Sequence, residues 1–218
     1  MGTLWVGTGG GGLDRFDRKT GRFFTYRKEP DNPAGLSSDG IVSLLEDHDG
    51  MLWVATGAGL DRFDRRTGRF TTYHHDPGDP HSLPDELVSA VFEDRTGILW
   101  VGSGAGLSRF DRASQQFTAY RHNTLDPASL SHDKVNSIWE DRQGTLWVAT
   151  HDGLDQMDRG RGTFTTFSRK DGLPDNAVEA ILEDDHGALW LATHNGINGG
   201  AIIDHRTPRK RRFVAVQK

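Results

Sequence analysis

The chain of 218 residues contains no cysteine, which removes disulfide frameworks, thiolate metal sites and cysteine nucleophiles together. No apolar run approaches the roughly 20 residues of a membrane helix, and the first residues do not pair a charged segment with an apolar one. There is no G-x-S-x-G nucleophile elbow. Excess positive charge is missing too. The net charge is -5, and Arg206, Arg209, Lys210, Arg211 and Arg212 hold five of the 26 basic residues, leaving 21 against 31 acids elsewhere. Such an acidic body argues against nucleic acid as a partner, and the basic run reads as a solvated tail. What the chain has in abundance is glycine, 27 residues, much of it grouped around tryptophan.

The stretch EDRTGILWVGSGAGLSRFD, Glu93 to Asp111, has the look of a phosphate-binding loop. That chemistry needs a helix behind the glycines to aim N–H groups at the anion, yet LSRFDRASQQFTAY alternates apolar and polar residues without a helical period. The same words recur along the chain: LWVGT at Leu4, LWVAT at Leu52, LWVGS at Leu99, LWVAT at Leu146 and LWLAT at Leu189. Tryptophans 5, 53, 100, 147 and 190 are therefore 48, 47, 47 and 43 residues apart. A period of this size marks a repeat architecture, so the glycines belong to a building unit.

Each unit reads as four short strands. The first is IVSLLED, VSAVFED, VNSIWED or VEAILED, starting at Ile41, Val88, Val135 and Val178. Its apolar residues fall on both faces, with Leu44, Val91, Ile138 and Ile181 on one and Leu45, Phe92, Trp139 and Leu182 on the other. Such a strand is expected to be buried on both sides. A D-x-x-G turn with glycine in the left-handed conformation then leads into the LWV strand. GLDRFDR and RFTTY supply the third and fourth strands. Blades of this kind bury their faces by stacking around an axis, so the expected fold is an all-β β-propeller of about five four-stranded blades. Ser43, Ala90, Ser137 and Ala180 are small where inner strands converge. A linear stack of units is the alternative, but it would need polar capping units. A single propeller repeat domain over 1–218 is expected, with repeats beginning near 1, 41, 88, 135 and 178 and a degenerate tail at 197–218.

The pattern D-x-x-G-x-LW-[VL]-[GA]-[TS]-x-x-G-L-x-R-F-D, with its trailing F-x-x-Y and DP-x-SL linker, closely resembles the two-component regulator propeller repeat of the extracytoplasmic sensor regions of hybrid sensor histidine kinases. The resemblance covers about residues 1–197. It implies a ligand-sensing module of a signalling receptor, periplasmic, non-catalytic and responsive to carbohydrate-derived ligands. It also implies seven-bladed propellers. The chain opens on the second strand of a blade and its last unit degenerates after Gly196, so it is expected to be an incomplete fragment of a larger propeller. A self-contained five-bladed ring is the alternative.

Function is expected on the face shared by the loops between second and third strands. These read TGGGGL, TGAGL, SGAGL, THDGL and THNGI, so His151, Asp152, His194 and Asn195 break a bland pattern. Polar residues leading into the inner strands, His132, Asp175 and Asn176 among them, crown the same face. Repeat positions that vary on a fixed frame are where such scaffolds carry specificity. These seven residues are the candidate ligand-binding set. The expected partners are a small-molecule or oligosaccharide ligand, the rest of a sensor kinase chain and a second copy in a homodimer; nucleic acid and membrane contact by this segment are not expected. No catalytic residue, cofactor or metal site is assigned. The repeated Glu-Asp pairs are expected to be structural, because adjacent strand residues point to opposite faces and cannot jointly flank a substrate. A propeller lyase or hydrolase, with its active site at the central channel, is the competing reading.

Overall fold

A computed structural model describes residues 3–194, 201–203 and 213–215. They form five antiparallel sheets. The first has three strands, β1 (Leu4–Gly7), β2 (Leu13–Asp17) and β3 (Arg22–Tyr26). The second contains β4 (Ile41–Glu46), β5 (Leu52–Thr56), β6 (Gly59–Asp64) and β7 (Arg69–Tyr73). The third contains β8 (Val88–Glu93), β9 (Leu99–Ser103), β10 (Gly106–Asp111) and β11 (Gln116–Tyr120). The fourth contains β12 (Val135–Glu140), β13 (Leu146–Thr150), β14 (Gly153–Asp158) and β15 (Thr163–Phe167). The fifth contains β16 (Val178–Glu183), β17 (Leu189–Thr193), β18 (Ala201–Ile203) and β19 (Phe213–Ala215). The degenerate tail thus still supplies two strands. The only helical element among the described residues is a 3-10 turn at Arg169–Asp171, in the linker before the fifth sheet.

The strands pair in sequence order within each sheet, and β4, β8, β12 and β16 touch one another in succession. This is the radial arrangement of a β-propeller, with those four strands innermost. In the first sheet β1 takes the inner position and touches β4. The D-x-x-G turns form as the sequence requires, with Gly97 at φ +81°. Each innermost strand carries a bulge at its second residue, where pairing skips from Ile41 to Ser43, Val88 to Ala90, Val135 to Ser137 and Val178 to Ala180. The bulged side chains stitch neighbouring blades together: Ser89 Oγ donates to the Val135 carbonyl at 2.5 Å and Asn136 Nδ2 to that of Val178 at 2.8 Å.

The core lies between the sheets. Four clusters each join two consecutive blades, and the tryptophan of one blade packs into the next: Trp53 sits with Val91, Leu99, Phe110 and Phe117, its ring 5.3 Å from that of Phe110. Among the described residues no cluster joins the first sheet to the fifth. Burial of the innermost strands is less even than their composition predicts. Val91, Ile138 and Ile181 are buried, whereas Leu45, Phe92 and Trp139 are only partly covered and Leu182 is 58% exposed. The cover for each of these side chains comes from the next blade, and the fifth sheet has none beyond it among the described residues.

Candidate functional site

The polar loops at the fourth and fifth blades are positioned by strand ends. His151 and Asp152 form the tight turn between β13 and β14, where Thr150 Oγ1 donates to the Gly153 carbonyl and accepts from the Asp152 N–H. The His151 N–H donates to the Lys134 carbonyl, and the Lys134 N–H donates to Nδ1 of His132. This brings the rings of His132 and His151 to 5.6 Å. Across the gap to the fifth blade, Asn176 Nδ2 donates to Asp152 Oδ1 at 2.8 Å, while its Oδ1 accepts from the Arg169 N–H. His132, His151, Asp152 and Asn176 therefore make one continuous row.

The other candidates fall differently. Asp175 accepts the N–H of Ala177 and so serves the local turn. His194 lies 3.7 Å from Glu179, the bulged residue of β16, through its Nδ1, and no contact joins it to the row among the described residues. Asn195 lies outside the described residues.

Asp152 and Asn176 of this row line a cleft of about 330 Å³ between the linkers on either side of the fourth blade, whereas His132 and His151 are not part of its lining. Its lining includes His122, Asn123, Thr124, Asp126, Ser131, Asp152, Thr166, Ser168, Lys170 and Asn176. Its hydroxyl, amide, carboxylate and ammonium groups suit a neutral, hydroxyl-rich ligand through hydrogen bonding. A larger open depression of about 620 Å³ lies elsewhere, over the outer strands of the second blade around Arg62, Asp64 and Arg69.

Two of the lining hydroxyls are held from beneath. Buried Asp155 accepts from Ser131 Oγ at 2.6 Å, from the Ser131 N–H at 3.1 Å and from Thr166 Oγ1 at 2.6 Å. Burial pushes its carboxyl above the usual range, against the pull of these donors. Asp61 repeats the arrangement with Ser37 and Thr72 in the second blade and is raised for the same reason. Reading the loops alone missed this layer. Its signal was present in the repeated GLD, where an aspartate recurs directly after the core leucine.

The Glu-Asp pairs have a shared structural role. Asp47 Oδ1 accepts from the Asp49 and Met51 N–H groups, and Oδ2 accepts from Trp53 Nε1 at 2.7 Å and from Arg112 of the next blade at 2.8 Å. Burial pushes its carboxyl up, but Trp53, Arg112 and Met51 together hold it below the usual range. Glu93 accepts the His48 N–H and Arg112 NH2. In the next interface Asp94, Glu140, Arg95 and Arg159 repeat the pattern. Among the described residues no group of three or more histidine, aspartate or glutamate side chains could hold a metal ion.

The two component regulator propeller family matches four segments, residues 35–58, 82–105, 129–152 and 172–195, each covering a linker and the first two strands of a blade. These four segments are two component regulator propeller repeats. No curated protein matches it. Among solved structures it is similar to the extracellular domain of a protein named as a hybrid two component system from B. thetaiotaomicron, with 24% identity, a TM-score of 0.80, and 99% of this chain against 27% of that one. The extracellular domain of a one component system from B. thetaiotaomicron gives 24% identity and a TM-score of 0.78, over 100% of this chain and 30% of that one. Virginiamycin B lyase from Staphylococcus aureus gives 18% identity and a TM-score of 0.70, over 96% and 69%. At these identities the likeness is one of fold. The chain spans under a third of the length of these two extracellular domains.

Proposed function

We propose that this repeat chain is the ligand-sensing part of a signalling receptor, working outside the cytoplasm and without catalysis. Its binding partner is a hydroxyl-rich small molecule of carbohydrate type. The observation that carries this reading is the joined pair Asp152 and Asn176 in the lining of a polar cleft, continued by His151 and His132, where the corresponding loops of the first three blades are glycine and alanine. A single site on a repeated frame is what recognition of one ligand requires. The further parts of the reading are the remainder of a sensor kinase chain as covalent partner, a periplasmic location, pairing with a second copy, and His194, Asn195 and Asp175 as outlying members of the binding face.

A propeller lyase or hydrolase is the second reading. The two imidazoles at 5.6 Å are the observation that suits it, because acid–base chemistry needs paired titratable groups. The test is calorimetric titration of oligosaccharide pools into the protein. Saturable binding that weakens at least tenfold in Asp152→Ala and Asn176→Ala, with the sugar recovered intact, supports sensing. Binding indifferent to both substitutions puts the ligand elsewhere, and recovery of cleaved sugar supports the enzyme.

A further inference from the structure

The floor of the cleft holds more close oxygen contacts than an ionised Asp155 leaves hydrogens to fill. Four such contacts run in line: Thr166 Oγ1 to Asp155 Oδ1 at 2.6 Å, Asp155 Oδ2 to Ser131 Oγ at 2.6 Å, Ser131 Oγ to Thr150 Oγ1 at 2.7 Å, and Thr150 Oγ1 to the Gly153 carbonyl at 3.1 Å. Each needs one hydrogen between its two oxygens, and the three hydroxyls supply three. The second blade repeats the line through Thr72, Asp61, Ser37, Thr56 and Gly59, at 2.6, 2.8, 3.0 and 3.0 Å.

The missing hydrogen can be located. The bond from the strand-end hydroxyl to the glycine carbonyl also forms in the first and third blades, from Thr8 to Gly12 and from Ser103 to Gly106, and the third blade has Pro84 and Ser108 in place of the serine and the aspartate. That bond is therefore independent of the network, and the Thr150 hydrogen is committed to Gly153. Ser131 must then donate to Thr150, and Thr166 donates to Asp155 Oδ1. The gap falls between Asp155 Oδ2 and Ser131 Oγ, where only a carboxyl O–H can fill it. This direction is the reverse of the one an ionised carboxylate imposes. Asp155 and Asp61 are fully buried, and burial favours the same neutral form.

With its hydrogens committed in this way, the floor offers a ligand only lone pairs at Ser131 and Thr166. Two further lining hydroxyls are committed likewise, Ser129 to the Asn123 carbonyl at 3.1 Å and Ser168 to Asp171 at 3.1 Å. His122 donates its Nδ1–H to the Leu130 carbonyl at 2.7 Å, which leaves a lone pair on Nε2 of the neutral ring. Asp126 and Asp152 add carboxylates, against one exposed ammonium, that of Lys170. We propose that Asp155 is held as a neutral acid and that the cleft above it selects ligands by their hydrogen-bond donors: saccharides with free hydroxyl or amino groups, and not those whose corresponding groups are O-methylated, sulfated or carboxylate. The choice of ligand rests on the sensing function proposed above; the placement of the proton does not.

Infrared difference spectra of the unliganded chain at about pH 6, where ordinary aspartates are ionised, test the proton. The parent should show a carboxylic-acid C=O band that weakens in Asp155→Asn and again in Asp61→Asn. Labelling the aspartate carboxyls with a heavy carbon isotope should shift the band in the parent itself, which keeps the test independent of how the variants fold. Absence of an isotope-shifted acid band from the parent would overturn the neutral acid. Calorimetry then compares a neutral oligosaccharide pool with the same pool after O-methylation and with a pool of oligouronates. The untreated pool should bind at least tenfold more tightly than either of the others, and Thr166→Val, which removes an acceptor from the floor, should weaken it several-fold. Equal binding of the methylated pool, or a preference for uronates, would overturn the selection by donors. Binding of no pool, with the acid band present, would overturn the sugar-sensing reading and not the placement of the proton.

Discussion

Trp100 donates its indole N–H to Asp94 Oδ2 at 2.8 Å, and both residues are buried. The same aspartate receives the N–H groups of Thr96 and Ile98 and the Thr96 hydroxyl on its other oxygen. One carboxylate therefore closes the D-x-x-G turn, fixes the core tryptophan and faces Arg159 of the neighbouring blade at 3.7 Å. Asp94→Ala leaves the buried Trp100 N–H unpaired, at about 1–3 kcal/mol, and also removes the turn bonds from Thr96 and Ile98, so a loss of roughly 3 kcal/mol is expected in denaturant unfolding. Asp184→Ala should cost distinctly less. It removes the equivalent bond to Trp190, but that ring is 36% exposed and water can replace the carboxylate.

Acid should act on these carboxylates with a definite sign. Burial pushes the Asp47 and Asp94 carboxyls up, but hydrogen bonds and the facing arginines outweigh it and hold both below the ordinary value. Their stabilisation is present above the unfolded-state pKa and is lost as pH falls through the folded-state value. Asp61 and Asp155 run the other way. Their folded-state pKa values are raised, chiefly by burial, so stability is lost as pH rises through those values. Melting temperatures measured between about pH 3 and 7 should show a reduced acid loss in Asp94→Asn and a reduced loss on raising pH in Asp61→Asn. Parallel curves for both variants and the parent would refute this assignment.

His48 carries a smaller effect. Its hydrogen bond to Glu93 at 2.6 Å raises its pKa above the ordinary 6.5. The gain is complete below the unfolded pKa and disappears as pH rises through the folded one. His48→Ala should remove that slope and leave the acid limb intact.

The turn glycine offers a separate check. At Gly97 the backbone is left-handed, φ +81°, and an added Cβ would stand 3.1 Å from His48 Cε1. Gly97→Val should cost roughly 1 kcal/mol or more from backbone strain. An unchanged denaturation midpoint would mean the turn relaxes freely.

The strands, the turns and the radial stacking were readable because they repeat, and repetition turns weak local signals into a period. Partnerships were not. Arg112 reaches Asp47 across 65 residues, and nothing local in FDR names a carboxylate one blade away. The candidate site was half readable. Interruption of the glycine loops pointed to His151 and Asp152, but not to the joining of Asp152 with Asn176, nor to the pairing of His194 with Glu179. Those contacts depend on how far each linker carries the chain, which composition does not encode.

One partnership can be recovered from the sequence once the blades are superposed, and it leads to the last prediction. Asp61 stands opposite Thr72 and is capped by Ser37; Asp155 stands opposite Thr166 and is capped by Ser131. The third blade replaces all three members together. Ser108 takes the aspartate position opposite Ala119, and Pro84, which has neither N–H nor hydroxyl, takes the serine position. Ser108 Oγ is buried and has no hydrogen-bond partner, as expected for a truncated network. Ser108→Asp alone would bury a carboxylate without donors, at a cost of about 3 kcal/mol. Adding Pro84→Ser supplies an N–H and a hydroxyl, and adding Ala119→Thr supplies a second hydroxyl. The triple variant should therefore recover most of that loss, with a coupling of at least about 1 kcal/mol beyond the sum of the single effects. Denaturant unfolding of the three single variants and the triple measures this directly. Simple additivity would show that the Asp–Ser–Thr groups in the second and fourth blades are independent residues and not a unit.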